Sequence, residues 1–312
     1  MKFRTEIHLP ASPVSISHAD KILTMGSCFA ENISGCLEKS GFNVHCNPFG
    51  ILYNPASVFQ SLHRLIEEKP FTSDEIFREG DTYYTFWHHS CFSREEPESF
   101  LTEINTRLKE SAEFLLQADV LIVTWGTAYV YSLKDNSVLS NCHKQPAERF
   151  DRRRLCPEEI VLEWKSLLQL LRGFNPKLQI LFTVSPVRHW KDGAHGNQLS
   201  KAILLLAADE LIREDEHCTY FPSYELLLDD LRDYRFYAKD MLHPSEQAIE
   251  YIWEKFSDCF FHEETRELIR EWECIQRNLN HKPFHPESEA YKIFREKSEA
   301  RKREFLRKMV RS

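Results

Sequence analysis

Short apolar runs separated by helix-period segments are the pattern that most restricts how this chain can fold. The runs Lys21–Met25, Phe42–Cys46, Asp119–Thr124, Gln179–Val184 and His217–Phe221 are rich in Val, Ile, Leu and Phe. Such composition suits strands covered on both faces. Between them lie segments with helical spacing: Phe29–Ser40, Ala56–Glu67, Glu96–Gln117, Pro157–Arg172, Asn197–Arg213 and Pro244–Phe261. Strand–helix alternation of this kind predicts an α/β fold with about five mainly parallel strands. Pro157 and Pro244 suit first-turn positions, and Gly41 and Gly173 suit helix ends.

Two stretches interrupt the alternation. Ile76–Phe92 reads as a hairpin around Glu79-Gly80-Asp81, and Ala128–Cys142 as another turning at Lys134-Asp135-Asn136-Ser137. Both are expected as insertions bordering a ligand site. From Glu263 onward the composition shifts. We therefore divide the chain into a domain over 1–262 and a helical extension over 263–312, with helices Glu263–Asn280 and Pro286–Met309. From Tyr291 onward nine Lys or Arg face three Glu, which reads as a solvated helix packed on the domain or on a second subunit, with a contact arm for RNA as the alternative.

With 312 residues, 42% of them hydrophobic, the chain can bury a sizeable core. Its net charge of −8 gives no reason to expect nucleic acid or an anionic membrane as partner. Nine scattered cysteines without a CxxC pair suit reduced thiols better than disulfides or a zinc site. No run reaches the roughly 18 apolar residues of a spanning helix, and the charged start lacks a signal-peptide core. The expectation is a cytoplasmic protein, with a homo-oligomer left open.

The segment Gly26-Ser27-Cys28-Phe29-Ala30 joins the first apolar run to the first helical one. A serine there sits beside the free N–H groups of a helix start. Far along the chain, Asp240-Met241-Leu242-His243 places an acid and a base on one loop. Together these supply Ser27 as nucleophile, His243 as base and Asp240 as its orienting carboxylate. The plainer reading is that Ser27 only caps a helix and His243 only precedes one. Cys28 competes as nucleophile, but adjacent residues entering a helix point in different directions, and we favour Ser27.

Arg188 and His189 follow the fourth strand, on the edge where such sheets bind ligands, and with Tyr53 are the candidate substrate contacts. Arg188 could equally be a structural partner of Asp229 or Asp230. His88, His89 and Cys91 invite a metal reading, yet adjacent histidines on a strand face opposite ways, so no metal is expected. Neither GxGxxG nor GxxxxGK[ST] is present, so no nucleotide cofactor is expected.

The segment Thr24–Asn32, TMGSCFAEN, resembles the signature of the GSCFA-domain family within the SGNH/GDSL hydrolase superfamily. Similar segments follow in the family's order: Asn47–Pro55 (NPFGILYNP), Trp125–Ala128 (WGTA), Ser185–His189 (SPVRH), Tyr220–Tyr224 (YFPSY) and Asp240–Ser245 (DMLHPS). The resemblance implies a flavodoxin-like three-layer α/β/α fold with Ser27, Asp240 and His243 as catalytic triad. It also implies an oxyanion hole made from the N–H groups of Ser27 and Gly50. The superfamily's third donor, an asparagine after the third strand, has no counterpart, since Gly126-Thr127-Ala128 stands there. Thr127 or Asn54 is the expected substitute. The function implied is a cofactor-free serine esterase or acyltransferase for a small acyl ester of a carbohydrate-like alcohol. The alternative is a non-catalytic binding or scaffolding protein on the same fold.

Overall fold

The computed structural model describes residues 5–135, 137–281, 283–284 and 287–309. The elements, in chain order, are β1 (Lys21–Gly26), α1 (Cys28–Lys39), β2 (Asn43–Cys46), α2 (Pro55–Ile66), β3 (Phe77–Glu79), β4 (Thr82–Tyr84), α3 (Pro97–Gln117), β5 (Val120–Trp125), β6 (Tyr129–Ser132), β7 (Val138–Leu139), β8 (Asp151–Arg154), α4 (Pro157–Phe174), β9 (Gln179–Val184), α5 (Gly193–Glu214), β10 (Cys218–Phe221), α6 (Ser223–Glu225), α7 (Glu246–Phe260), α8 (Glu263–Leu279) and α9 (Glu289–Met309). Strands β10-β9-β5-β1-β2 form one parallel sheet, so the expected α/β architecture is present.

Alternate residues of each strand serve opposite faces of the sheet. Leu23 and Met25 of β1 join Leu121 and Val123 of β5 against α2, α3, α4 and α5. Ile22 joins Val120 and Ile122 against α1, α7 and the π-helical turn Leu226–Leu231 that continues α6. The sheet is thus the middle of three layers, as near-continuous apolar strands require. Burial of these two clusters supplies the main stabilisation.

Both insertions stand at the C-terminal edge of the sheet. The first is the short antiparallel pair β3–β4, turning at Gly80 and Asp81 as expected. The second is larger than the expected hairpin: β8 adds a third strand, in the order β7-β6-β8. All four β8 residues, Asp151-Arg152-Arg153-Arg154, are exposed, so the strand carries no apolar signal in sequence. Asn136 of the expected turn lies outside the described residues, as does Pro286 of the expected last helix.

Pro157 occupies the first turn of α4, as expected. Three helix ends differ from the sequence reading. Pro244 bridges to Tyr237, and α7 begins after Ser245, whose hydroxyl accepts from the Ala248 N–H. Gly173 lies within the last turn of α4, which ends at Asn175, where Asn175 Nδ2 donates to Leu115 O and Ala118 O. Helix α5 starts at Gly193, ahead of the expected Asn197.

The C-terminal pair packs back on the body. Phe305 of α9 stacks on Trp272 of α8 at 5.2 Å between centroids and meets His18 edge-on. Trp272 also covers Gly41 at the end of α1. Among the described residues, no helix is long and apolar enough to cross a membrane.

Candidate active site

Ser27 stands where β1 becomes α1. Its backbone is extended and its Oγ accepts from the Phe29 N–H at 3.3 Å, so it caps the helix. Two features hold it there. Gly26 takes φ +141°, open to glycine, and approaches β5 so closely that a Cβ would lie 2.1 Å from Thr124 O. The Gly26 N–H is anchored by Asn47 Oδ1 at 2.9 Å. Ser27 is only 1% exposed.

Asp240 and His243 share a loop after the turn at Tyr234–Phe236. Asp240 Oδ2 lies 2.6 Å from His243 Nδ1, while Oδ1 accepts from the N–H groups of Leu242 and His243. Those bonds, that of Leu242 first, pull the Asp240 carboxyl down to about 2, so it is ionised at any ordinary pH. The arrangement engages Nδ1 of His243 and leaves Nε2 outside the pair. The loop is pinned to the sheet edge by Arg188, whose N–H donates to Leu242 O and whose guanidinium reaches Met241 O. Among the described residues, no hydrogen bond joins Ser27 to His243.

His189 stands near Ser27, across Gly126. A Cβ built on Gly126 would lie 3.0 Å from His189 Nε2 and 3.3 Å from Ser27 Cβ. The ring also sits edge-on to Tyr53 at 5.9 Å. Its backbone N–H is held by Asn197 Oδ1. Burial, then the charges of Lys201, His243 and Arg152, depresses its pKa to about 3, so the ring is neutral.

The remaining expected residues are placed as follows. Thr127 is buried, and its hydroxyl is engaged by Ser200 Oγ and the Tyr129 N–H. Asn54 caps α2 through Oδ1 and borders the adjoining cavity. The Gly50 N–H donates to Asn47 O in a turn, and the Ser27 N–H to Thr124 O. Gly50 has φ +76° and packs against His89, where a Cβ would lie 2.5 Å from that side chain. Cys28 packs on the α1–α7 core, and burial first raises its pKa, the opposite of an activated thiol. Arg188 lies over Trp190 at 4.2 Å, while Asp230 instead binds the Ile7 N–H and the Tyr251 hydroxyl. His88 is buried, hydrogen-bonded to Thr85 and stacked on Phe49.

Sequence reasoning missed Lys201. It is completely buried, and its Nζ donates to Gly126 O and Ser185 O, both at 2.6 Å. It thereby ties together the ends of β5 and β9. The signal was in the spacing: the buried α5 positions 197, 200, 201, 204, 207, 208 and 211 form one stripe, with a lysine in its middle.

Above this edge opens a cavity of about 840 Å³. Tyr53, Asn54, Thr127, Arg188 and His189 border it from the scaffold. Tyr84, Tyr129, Tyr131, His143, Phe150 and Arg152 border it from the insertions. Arg152 pairs with Asp192 and covers the Tyr129 ring at 4.1 Å. Aromatic rings set among many polar and charged side chains, among them Arg152, Arg188, His189 and Lys191, suit a small polar organic ligand.

Residues 21–256 match the family model described as "GSCFA family", and residues 272–310 match one described as "GSCFA domain protein, C-terminal domain". No curated protein matches the chain. Among solved structures it is similar to a proposed platelet activating factor from Streptococcus pneumonia, at 11% identity and TM-score 0.38, covering 78% of this chain and 85% of that one. It is also similar to a proposed acylhydrolase from Bacteroides fragilis (10%, TM-score 0.38, covering 83% and 92%). A third is an acetyl xylan esterase from the rumen bacterium Butyrivibrio proteoclasticus (12%, TM-score 0.37, covering 81% and 64%).

Proposed function

The chain belongs to the GSCFA family, and from that premise we propose that it is a serine esterase of the SGNH type, cleaving or transferring an acyl group. The observation that carries this reading is the Asp240–His243 pair, 2.6 Å apart and pinned to the sheet edge where Ser27 begins α1. Asp240 fixes Nδ1 as the protonated nitrogen, which leaves Nε2 to accept the Ser27 proton. Before substrate binds, such nucleophile–base contacts are commonly long and close only in the complex.

In the proposed reaction His243 Nε2 takes the Ser27 proton as Oγ bonds to the ester carbonyl carbon. The carbonyl π electrons move onto oxygen. Collapse of that intermediate breaks the bond to the alcohol, whose oxygen receives the proton from His243. Water, or a second alcohol, then repeats the sequence on the acyl-enzyme. No step calls on a metal or cofactor. The aromatic cavity supports a small acyl ester on a carbohydrate-like alcohol, since sugar faces stack on such rings.

The test is labelling with a fluorophosphonate, with p-nitrophenyl acetate and butyrate as substrates. Wild-type protein should label at Ser27 and hydrolyse at least one ester, and Ser27→Ala should abolish both. Equal labelling in Ser27→Ala, or none in the wild type, overturns the reading.

A further inference from the structure

Acyl transfer puts a negative charge on the former carbonyl oxygen, and donors aimed at that oxygen lower the barrier. Three of the four donors expected from sequence are engaged here, while Asn54 caps α2 through Oδ1 and borders the cavity. The Ser27 N–H is bonded to Thr124 O, the Gly50 N–H to Asn47 O, and the Thr127 hydroxyl to Ser200 and Tyr129. The N–H groups of Gly126 and Thr127 both donate to Tyr53 O, at 2.9 and 2.8 Å.

Four buried polar atoms around this strand end make no hydrogen bond among the described residues: Asn47 Nδ2, Thr124 Oγ1, Trp125 Nε1 and His189 Nε2, of which only the last is on a residue that borders the cavity. A buried orphan of this kind is costly and calls for a reason. For His189 the reason is visible in what surrounds Gly126. A Cβ at Gly126 would lie 3.0 Å from His189 Nε2 and 3.3 Å from Ser27 Cβ, so the orphaned nitrogen stands beside the nucleophile, on a residue that also borders the cavity. We propose that His189 is the third oxyanion donor, its Nε2–H hydrogen-bonding the substrate's carbonyl oxygen as Ser27 attacks, in the role left open by the missing asparagine.

The ring is equipped for donation without proton transfer. Lys201, His243 and Arg152 are the charged or titratable groups that act on it, and all oppose a positive imidazolium. A neutral imidazole can polarise a carbonyl through one N–H, as a neutral histidine does in triosephosphate isomerase. Asn197 Oδ1 fixes the backbone at His189, and Lys201 fixes the Gly126 carbonyl, so the ring and the segment beside it are held in place.

This inference rests on Ser27 being the nucleophile, and the experiment separates the two. Stoichiometric fluorophosphonate labelling of wild-type Ser27 establishes the nucleophile first; its absence removes both proposals. His189→Leu and His189→Gln are then compared by p-nitrophenyl acetate hydrolysis, thermal midpoint and pH profile. His189→Leu should lose roughly 10²–10³ in kcat with little change in KM. His189→Gln, which returns an amide N–H, should recover most of it. The pH profile should keep its wild-type shape in both, because the donor does not titrate in the assay range. A thionoester, whose sulfur accepts hydrogen bonds weakly, should be disfavoured against the ester far less in His189→Leu than in wild type. Near-wild-type kcat in His189→Leu, or loss of the basic dependence of rate, would overturn the assignment; the latter makes His189 a base. If His189→Leu does not fold, a folded His189→Gln with no recovery and an unchanged thionoester ratio overturns it as well.

Discussion

Gly126→Ala should separate chemistry from folding. The added methyl would lie 3.0 Å from Tyr53 O, 3.0 Å from His189 Nε2 and 3.3 Å from Ser27 Cβ. Those distances require shifts of a few tenths of an ångström, and Gly126 is not at a positive φ, so no backbone strain is added. Tyr53 O already accepts two N–H groups, which limits how far it can move. Overpacking of this kind costs about 1–3 kcal/mol. For a domain of this size that is a fall of several degrees in thermal midpoint, roughly 2–4 °C per kcal/mol. The effect on catalysis is of another order. The methyl would press on Ser27 Cβ and His189 Nε2 together, and displacing that nitrogen would weaken an oxyanion contact worth about 10²–10³ in rate. Misplacing the ester beside Ser27 would cost about 10² more. We expect a folded protein whose kcat/KM for p-nitrophenyl acetate is down by about 10³ or beyond, with near-ultraviolet circular dichroism like wild type. A folded Gly126→Ala that keeps half the wild-type kcat/KM would refute the placement of the reacting carbonyl.

Gly26→Ala should instead fail on stability, because its Cβ would meet backbone atoms alone, Thr124 O at 2.1 Å, at φ +141°. The expected loss exceeds about 4 kcal/mol, read as insoluble expression or collapse of the melting transition, and a wild-type midpoint would contradict it. Lys201→Met tests the buried ammonium. Complete burial lowers the Lys201 pKa to about 7, against about 10.4 unfolded. Between those values the unfolded chain binds a proton that the folded chain lacks, so wild-type stability rises with pH through that window. The full rise is on the order of 4 kcal/mol, flat below pH about 7 and absent in Lys201→Met. Parallel denaturation curves for the two proteins from pH 6.5 to 9.5 would contradict it.

The sheet was readable because strands buried on both faces carry unbroken apolar runs, as Val120–Val123 and Ile180–Phe182 do. The place of Ser27 at a strand–helix junction and the pairing of Asp240 with His243 were readable because GSCFA and DMLH are short motifs whose local geometry follows from their spacing. Strand β8 was not, since DRRR is exposed and owes its extension to pairing with β6. Nor was His189 as a donor: an orphaned nitrogen is a fact about three-dimensional neighbours, and Ser185–His189 reads the same whichever way the ring turns. The engagement of the Thr127 hydroxyl was hidden for a similar reason, because its partner Ser200 is remote in sequence. Lys201 was legible in principle from the α5 stripe, but a single lysine among apolar neighbours reads as a snorkelling side chain unless its depth is known.

The insertions have an aromatic nucleus of their own. Tyr84, Phe86, Leu139 and Phe150 pack together, apart from the two clusters that clasp the sheet. Substitutions well separated in space act additively on stability. The proposed ligand wall and the proposed catalytic floor therefore draw on different reserves. If the esterase reading holds, a lineage could retune which ester it accepts by exchanging residues in the canopy, one at a time, without loosening the sheet edge beneath.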